Sequence, residues 1–138
     1  MAITVLGGIV AADGFGVAGG NLAHVARLIE ERLGLGPLVP GTLNLTLPSP
    51  YIVEPDAMIT NAEYNRAEFI KLKRCVVRGL RCGIMRPNTH ESVPRYGHGA
   101  AYLELLSAHD LKSELGLSLG DRVEVEVGGD ATWWANAK

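Results

Sequence analysis

The sequence predicts a mainly-β protein, a small barrel of about six strands with two short helices on its rim. Many short segments alternate apolar and polar residues or are rich in β-branched residues, as strands are. Only two segments repeat apolar residues at helical spacing, and strands and helices do not alternate as a doubly wound sheet requires. With 138 residues, 47% hydrophobic and 20% charged, the chain is long enough for one such domain, residues 1–138.

Charge and hydropathy exclude several classes of partner. A net charge of −2 without a long basic cluster argues against nucleic acid, whose binding needs many neutralised phosphates. No run approaches the roughly 18 apolar residues that span a bilayer, so no membrane is expected. The first residues lack the basic stretch of a signal peptide, and we expect a cytoplasmic protein.

Residues 3–11 mix β-branched and small residues and predict the first strand. Gly7 and Gly8 within it indicate either a β-bulge or a place where another segment comes close. The strand leads into a glycine-rich loop at residues 13–20.

A helix is predicted after this loop, because apolar residues recur at helical spacing between residues 21 and 33. Asn21 is a favourable N-cap and Gly34 a favourable C-cap. The free N–H groups and positive dipole end of such a helix suit phosphate oxygens. The segment matches neither the Walker A nor the Rossmann pattern, so a plain surface loop is an equal alternative.

The run Pro40-Gly41-Thr42-Leu43-Asn44 predicts a tight turn that leads into a strand. Because side chains alternate along a strand, Thr42 and Asn44 share one face and the leucines share the other. The two polar side chains either face water or offer a hydroxyl and an amide oxygen to a hard cation.

Two strands at residues 69–77 and 80–85 flank Arg78-Gly79 and predict a hairpin with a two-residue turn. In that hairpin Cys75 and Cys82 lie opposite each other. No further Cys or His sits at a metal-ligand spacing, so we expect two free, structural thiols.

Two other segments are predicted to be loops. Residues 47–63 contain three prolines and form a surface connector. Residues 86–100 are polar, with two prolines and two glycines, and long loops of this kind are often functional.

Residues 101–106 predict a short apolar strand that contains one acid, Glu104. An acid in such a run either lies on an exposed face or contacts a ligand, and the sequence leaves both interpretations open.

The Ser-Ala-His-Asp run at residues 107–110 resembles a capping box and predicts a short helix that ends at Gly116. Strict alternation over residues 122–127 predicts a strand with one buried face. The tail, with Trp133 and Trp134, is interpreted as surface or as an oligomer contact.

In their order and spacing these motifs resemble the CTP-dependent riboflavin kinases, which are found chiefly in archaea. The resemblance covers nearly the whole chain, and its most specific part is the Pro-Gly-Thr-Leu-Asn run. The matching features are the glycine loop with Gly14 and Gly16, residues 40–44, Arg86-Pro87-Asn88-Thr89-His90, the strand with Glu104, Leu111-Lys112 and the final strand.

The resemblance implies a cradle-loop β-barrel that transfers the γ-phosphoryl group of CTP to the 5′-hydroxyl of riboflavin, giving FMN and CDP. It implies Mg²⁺ as cofactor, with Thr42 and Asn44 as its ligands. Mg²⁺ prefers oxygen ligands and is commonly shared between a few protein groups and nucleotide phosphates, so two neutral ligands suffice.

By the same resemblance, Thr89 and Glu104 would contact the flavin, and Glu104 is the candidate catalytic residue that orients the ribityl hydroxyl. The residues implied to bind the nucleotide are Phe15, Gly16, Val17, Ala18, Gly19 and Gly20 of the loop, with His109, Asp110, Leu111 and Lys112.

The chain also departs from the family pattern. Lys112 stands where an arginine is usual, and a lysine does not reproduce a guanidinium fork. The loop from Thr89 to Glu104 is longer, residues 17–21 lack the usual charged and aromatic side chains, and no N-terminal winged helix is expected. An alternative function is therefore a non-catalytic flavin- or nucleotide-binding module on the same barrel, and a DNA-binding barrel is a third, disfavoured by charge.

Overall fold

The fold is described from a computed structural model, in which residues 2–12, 23–64, 68–92 and 97–138 are placed. Within these segments the chain forms seven strands, all paired antiparallel. They are β1 (Thr4–Val10), β2 (Leu43–Thr46), β3 (Ala57–Ile59), β4 (Ile70–Val77), β5 (Leu80–Pro87), β6 (Tyr102–Ser107) and β7 (Arg122–Val127).

Six of these strands close into a barrel in the order β4-β5-β6-β2-β1-β7, and β7 pairs back with β4. The prediction of a mainly-β barrel of about six strands is confirmed. The additional strand, β3, pairs with the first half of β4. It lies in the segment predicted to be only a connector, and three residues are too few to reveal a strand period.

The described segments contain one long helix, α1 (Ala23–Leu33), and three short ones, α2 (Gly97–Ala100), α3 (Leu111–Leu115) and α4 (Ala131–Asn136). α1 and α3 are the two predicted helices. α2 and α4 were not predicted, because four to six residues show little periodicity. No helix in the described segments has both the length and the apolar character to cross a membrane.

The β4–β5 hairpin has its turn at Arg78 and Gly79, with φ of 48° and 82°. Two successive positive φ values give the type I′ geometry whose twist suits a two-residue hairpin. Cys75 and Cys82 are Cα partners in the resulting register, and both are buried free thiols. The predicted hairpin and the predicted free cysteines are confirmed.

Two apolar clusters stabilise the barrel, one on each face of its sheet. The interior cluster includes Leu45, Ile84, Leu103 and Val125, all essentially inaccessible to solvent. The second cluster lies outside the ring, where α1 packs its apolar side on the barrel. Its main members are Val25, Ile29, Leu33, Ile70, Leu72, Met85 and Leu106.

Two of the caps predicted for these helices differ in outcome, and the predicted N-cap Asn21 lies outside the described residues. Gly34 has a φ of +72°, and its N–H donates to Glu30 O at 3.0 Å, so it ends α1 as predicted. The capping box assigned to α3 is wrong in its first residue: Asp110 is the N-cap and accepts from Ser113 N. Ser107 instead ends β6, where its hydroxyl donates to Arg81 O.

α4 packs on the outside of the barrel. The Arg74 and Arg81 guanidinium groups lie 5.4 and 5.1 Å from the centroid of the Trp134 ring, within cation–π range. Trp133 Nε1 donates to Glu126 Oε1 at 3.1 Å. The tail is therefore a surface element fixed to the barrel, and an oligomer contact there stays a prediction.

The two glycines of β1 behave differently although they are neighbours. The register of β1 with β7 runs without interruption through both, so the sequence alternative of a bulge does not apply. A Cβ at Gly8 would lie 2.9 Å from Leu45 Cδ1 and 3.1 Å from Leu45 Cβ. A Cβ at Gly7 would meet nothing within 4 Å. The close approach is at Gly8 alone.

We therefore expect Gly8→Ala to destabilise the barrel by about 1–3 kcal/mol, because the new methyl overpacks a buried site whose Cβ neighbour cannot rotate away. Gly7→Ala is the matched control and should change stability by less than about 0.5 kcal/mol. Urea unfolding followed by tryptophan fluorescence measures both values. Equal effects of the two substitutions would contradict this account.

Candidate active site

Asn44 and Glu104 are Cα partners in the antiparallel pairing of β2 with β6. Directly opposite residues in such a pair project to the same face. Their strand neighbours Leu45, Leu103 and Leu105 belong to the interior cluster, so Asn44 and Glu104 both project outside the ring. Strand pairing thus brings together two polar residues that are 60 positions apart in sequence.

Thr42 joins this pair from the turn before β2. Gly41 has a φ of +94°, which permits the turn, and Thr42 Oγ1 lies 2.8 Å from Asn44 Oδ1 as hydrogen-bond donor. Asn44 is only 1% exposed. The structure therefore places the two predicted metal ligands side by side.

The two oxygens fit the geometry of a Mg²⁺ site. Octahedral ligands at 2.0–2.1 Å from the ion lie about 2.9 Å from their neighbours, close to the separation seen here. Among the described residues there is no group of three or more His, Cys, Asp or Glu that could hold a metal. Thr42 and Asn44 would offer a cation two neutral oxygen ligands.

Glu104 is a half-buried carboxylate with one unpaired oxygen. Its Oε2 is inaccessible to solvent and has no hydrogen-bond partner among the described atoms. Burial raises its pKa from 4.5 to about 6, and the charge of Arg86 opposes that rise. A buried acceptor without a donor is costly, so Glu104 is suited to receive a hydrogen bond from a ligand.

Arg86 is the residue that sequence reasoning missed. The sequence predicts a polar loop at residues 86–100, but Arg86 extends β5 and is 1% exposed. Its guanidinium donates four hydrogen bonds of 2.7–3.2 Å, to Tyr51 O, Glu91 Oε2, Ala100 O and Tyr102 O. The only sequence signal was a basic residue directly after the apolar Ile84-Met85. Its hydrogen-bond partners lie elsewhere in the sequence, so they could not be identified from that signal.

Glu91 completes this cluster. Besides Arg86 it accepts from Val53 N at 2.9 Å and from the ammonium of Lys71. Burial alone would raise the pKa of Glu91, but the Lys71 and Val53 bonds and the two cationic charges lower it. The carboxylate therefore stays ionised and holds the 3₁₀ helix at Asn88–Glu91 against β4 and β5.

Thr89 lies in that 3₁₀ helix, and its hydroxyl donates to Glu68 Oε2 at 2.6 Å. The neighbouring Tyr64 hydroxyl has its pKa raised by burial and then by the negative charges of Glu68 and Glu104. Both carboxylates are therefore close enough to Tyr64 for their charges to act on its hydroxyl. Neither Glu68 nor Tyr64 was predicted from the sequence.

His109, Asp110, Leu111 and Lys112 follow β6 and begin α3. The Leu111 side chain is 5% exposed in the interior cluster, which leaves its backbone for a ligand. His109 Nδ1 lies 3.1 Å from Glu114 Oε2, and its Nε2 lies 3.0 Å from Lys138 O. The imidazole thus already has two protein partners. A nucleotide role for these four residues stays a prediction.

The predicted nucleotide loop, Phe15 to Gly20, lies outside the described residues. The described chain before it ends beside the candidate metal ligands, because Ala11 N donates to Asn44 O at 2.9 Å. After it, the chain resumes at α1.

The chain is similar to several known proteins. A family model named CTP-dep_RFKase and described as a domain of unknown function, DUF120, matches residues 12–127. The chain is 29% identical to a riboflavin kinase of Pyrobaculum islandicum over 136 residues, 92% of this chain and 61% of the relative. It is 31% identical to a riboflavin kinase of Pyrobaculum arsenaticum over 134 residues, which are 91% of this chain and 60% of the relative. It is 31% identical to a riboflavin kinase of Archaeoglobus fulgidus over 116 residues, which are 78% of this chain and 47% of the relative. The chain thus spans about half to three fifths of these relatives.

Arg86→Ala is expected to destabilise the protein by about 3–5 kcal/mol, because it removes four hydrogen bonds and one of the two cations paired with the buried carboxylate of Glu91. Lys73→Ala is the control: its pair with Asp56 spans 3.5 Å at the surface, so its loss should cost less than about 1 kcal/mol. Chemical denaturation distinguishes the two. A loss of stability in Arg86→Ala no larger than that of the control would contradict a stabilising role for the Arg86–Glu91 ion pair.

Glu104→Gln is expected to change how stability depends on pH. Folding raises the pKa of this carboxyl, so the stability that Glu104 itself contributes is fully present below pH 4.5 and is lost as pH rises through about 6. The shift corresponds to about 2 kcal/mol at full ionisation. Between pH 4.5 and pH 7.5 in metal-free buffer, the free energy of unfolding of the variant should rise by about 2 kcal/mol relative to that of the wild type. Parallel stability curves over this range would show that burial does not act on Glu104.

Proposed function

We propose a function from one premise: this chain belongs to the CTP-dependent riboflavin kinase family. The proposed reaction is transfer of the γ-phosphoryl group of CTP to the 5′-hydroxyl of riboflavin, giving FMN and CDP. The observation that supports it best is the juxtaposition of Thr42, Asn44 and Glu104 on one outward face. Residues 1–138 act in this proposal as one domain, with small-molecule partners and a cytoplasmic location.

Thr42 and Asn44 are proposed to hold Mg²⁺. Bound there with the nucleotide phosphates, the ion would neutralise the charge of the transferred group. Neutral ligands suit this role, because the phosphates bring the negative charge themselves. The backbone of Asn44 also fixes Ala11, so the ligand is held from both its side chain and its main chain.

Glu104 is proposed to accept the hydrogen bond of the 5′-hydroxyl and so to orient its oxygen towards the phosphorus. Phosphoryl transfer needs mainly in-line positioning and neutralised charge, and a strong base is not required. The unpaired Oε2 supports this role, since a substrate hydroxyl would supply the missing donor. The pKa of about 6 leaves the carboxylate mostly ionised near neutral pH.

The glycine loop from Phe15 to Gly20 and residues 109–112 are proposed to bind the nucleotide. Lys112 supplies one positive charge in place of the usual arginine. The engaged imidazole of His109 favours a second candidate function, a module that binds flavin without turnover.

One assay tests the reaction. The protein is incubated with riboflavin, Mg²⁺ and each of CTP, ATP, GTP and UTP, and FMN is separated by chromatography. We expect FMN with CTP and its loss when EDTA removes the metal. Riboflavin binding without FMN from any nucleotide would support the non-catalytic module instead.

Asn44→Ala should lower the rate of FMN formation by at least about 100-fold, because it removes a metal ligand at a site where charge is neutralised. Thr46→Ala, the next outward-facing residue on β2, is the matched control and should keep the rate within about twofold. Circular dichroism checks that both variants fold. A wild-type rate in Asn44→Ala would remove the metal role.

A further inference from the structure

The first part of β1 has a partner strand on one side only. β1 pairs with β7 along most of its length, but on its other side only Ile9 and Val10 have Cα partners in β2. β2 ends at Thr46, and the exposed Pro48, which cannot donate to a strand, follows closely. Within the described segments, therefore, no strand pairs with residues 4–8 on the β2 side.

The backbone groups on that side belong to alternate residues. Ala11 N donates to Asn44 O, towards β2. The register of β1 with β7 has no bulge, so every second residue before Ala11 directs its N–H and C=O to the same side. Val5 and Gly7 are such residues, and Ile3 precedes them at the same spacing. We call the backbone groups of these three residues the open edge.

The outward side chains beside the open edge are apolar and exposed. Val5 is 52% exposed and Ile3 is 42% exposed, and a Cβ at Gly7 would meet nothing within 4 Å. The adjacent β7 carries a charged residue at every outward position. Residues 2–12, by contrast, contain neither a charged residue nor a proline. Such residues are the usual means of preventing an edge from pairing with another chain, and this edge lacks them.

A second copy of the chain matches the open edge, because the edge is complementary to itself. When two copies of it pair antiparallel with Val5 on the two-fold axis, Val5 faces its counterpart and Gly7 faces Ile3 of the partner subunit. All three residues of each copy are then paired. An alignment shifted towards Ile9 leaves Ile3 unpaired, since Ile9 is already bound to β2. The outward side chains of the two copies form one apolar strip across the joined sheets.

We propose that the chain forms a weak symmetric dimer in which residues 3–7 of two copies pair antiparallel. Three residues from each chain bury less surface than a permanent dimer needs, so we expect a dissociation constant of about 10–100 µM. The proposal does not depend on the reaction proposed above. It assigns the oligomer contact to β1 and not to the tryptophan tail.

Sedimentation velocity of the full chain, from about 2 to about 300 µM, tests for the dimer. The mean mass of the wild type should rise from that of one chain towards that of two. Val5→Lys should weaken association at least about tenfold, because it places two ammonium groups opposite each other at the two-fold axis. Leu119→Lys is the matched control at a residue that is 72% exposed before β7, and it should associate like the wild type.

Amide hydrogen exchange, measured residue by residue by NMR, locates the contact in the wild type. In the monomer the N–H groups of Val5 and Gly7 face the open side and should exchange fast. Those of Leu6 and Gly8 face β7 and should exchange slowly. At the highest concentration, exchange at Val5 and Gly7 should slow about fivefold, as expected when most chains are paired.

The mass of one chain at every concentration would overturn the proposal. A dimer that Val5→Lys leaves as tight as the wild type would also overturn it, as would an equal weakening by Leu119→Lys. A dimer in which the Val5 and Gly7 amides keep their monomer exchange rates places the contact elsewhere and overturns it too. Circular dichroism checks the fold of both variants, and the exchange measurement decides the matter even if Val5→Lys does not fold.

Discussion

The buried ion pair of Arg86 with Glu91 is the interaction on which the candidate site depends. One guanidinium joins the segment at Tyr51, the 3₁₀ helix and the start of β6. Burying charge is expensive, and this pair offsets that cost by using most of its hydrogen-bonding capacity inside the protein. Since Thr89 lies within the 3₁₀ helix and Glu104 two residues after Tyr102, both residues are positioned by the same group.

Strand register supplies the other half of the site. Asn44 faces Glu104 because β2 and β6 pair in one register, and a slip of β2 by one residue would turn Asn44 into the leucine-rich interior. The interior leucines prevent that slip, because they bury well in only one alignment. The apolar core of the barrel thus specifies the geometry of polar groups that project away from it.

Features encoded within a few adjacent residues could be predicted from the sequence. The Arg78-Gly79 hairpin, the Gly34 cap and the alternation around Asn44 each depend on local backbone preference. The Arg86 cluster could not be predicted, because its partners lie up to 35 positions away and act mostly through backbone carbonyls, which carry no sequence signal. Family resemblance supplied Thr89 and Glu104 as site residues, but the hydrogen-bond partner of Thr89, Glu68, required the tertiary structure.

The paired thiols of the hairpin have a practical consequence for measuring this fold. Cys75 and Cys82 are sealed in the barrel interior, and burial, together with the neighbouring thiol, raises the pKa of Cys75. A thiol reagent needs access to the sulfur, and the closed barrel denies it at both cysteines. Covalent labelling of either thiol therefore requires the barrel to open. The labelling rate then reports the opening equilibrium at two native cysteines on adjacent strands.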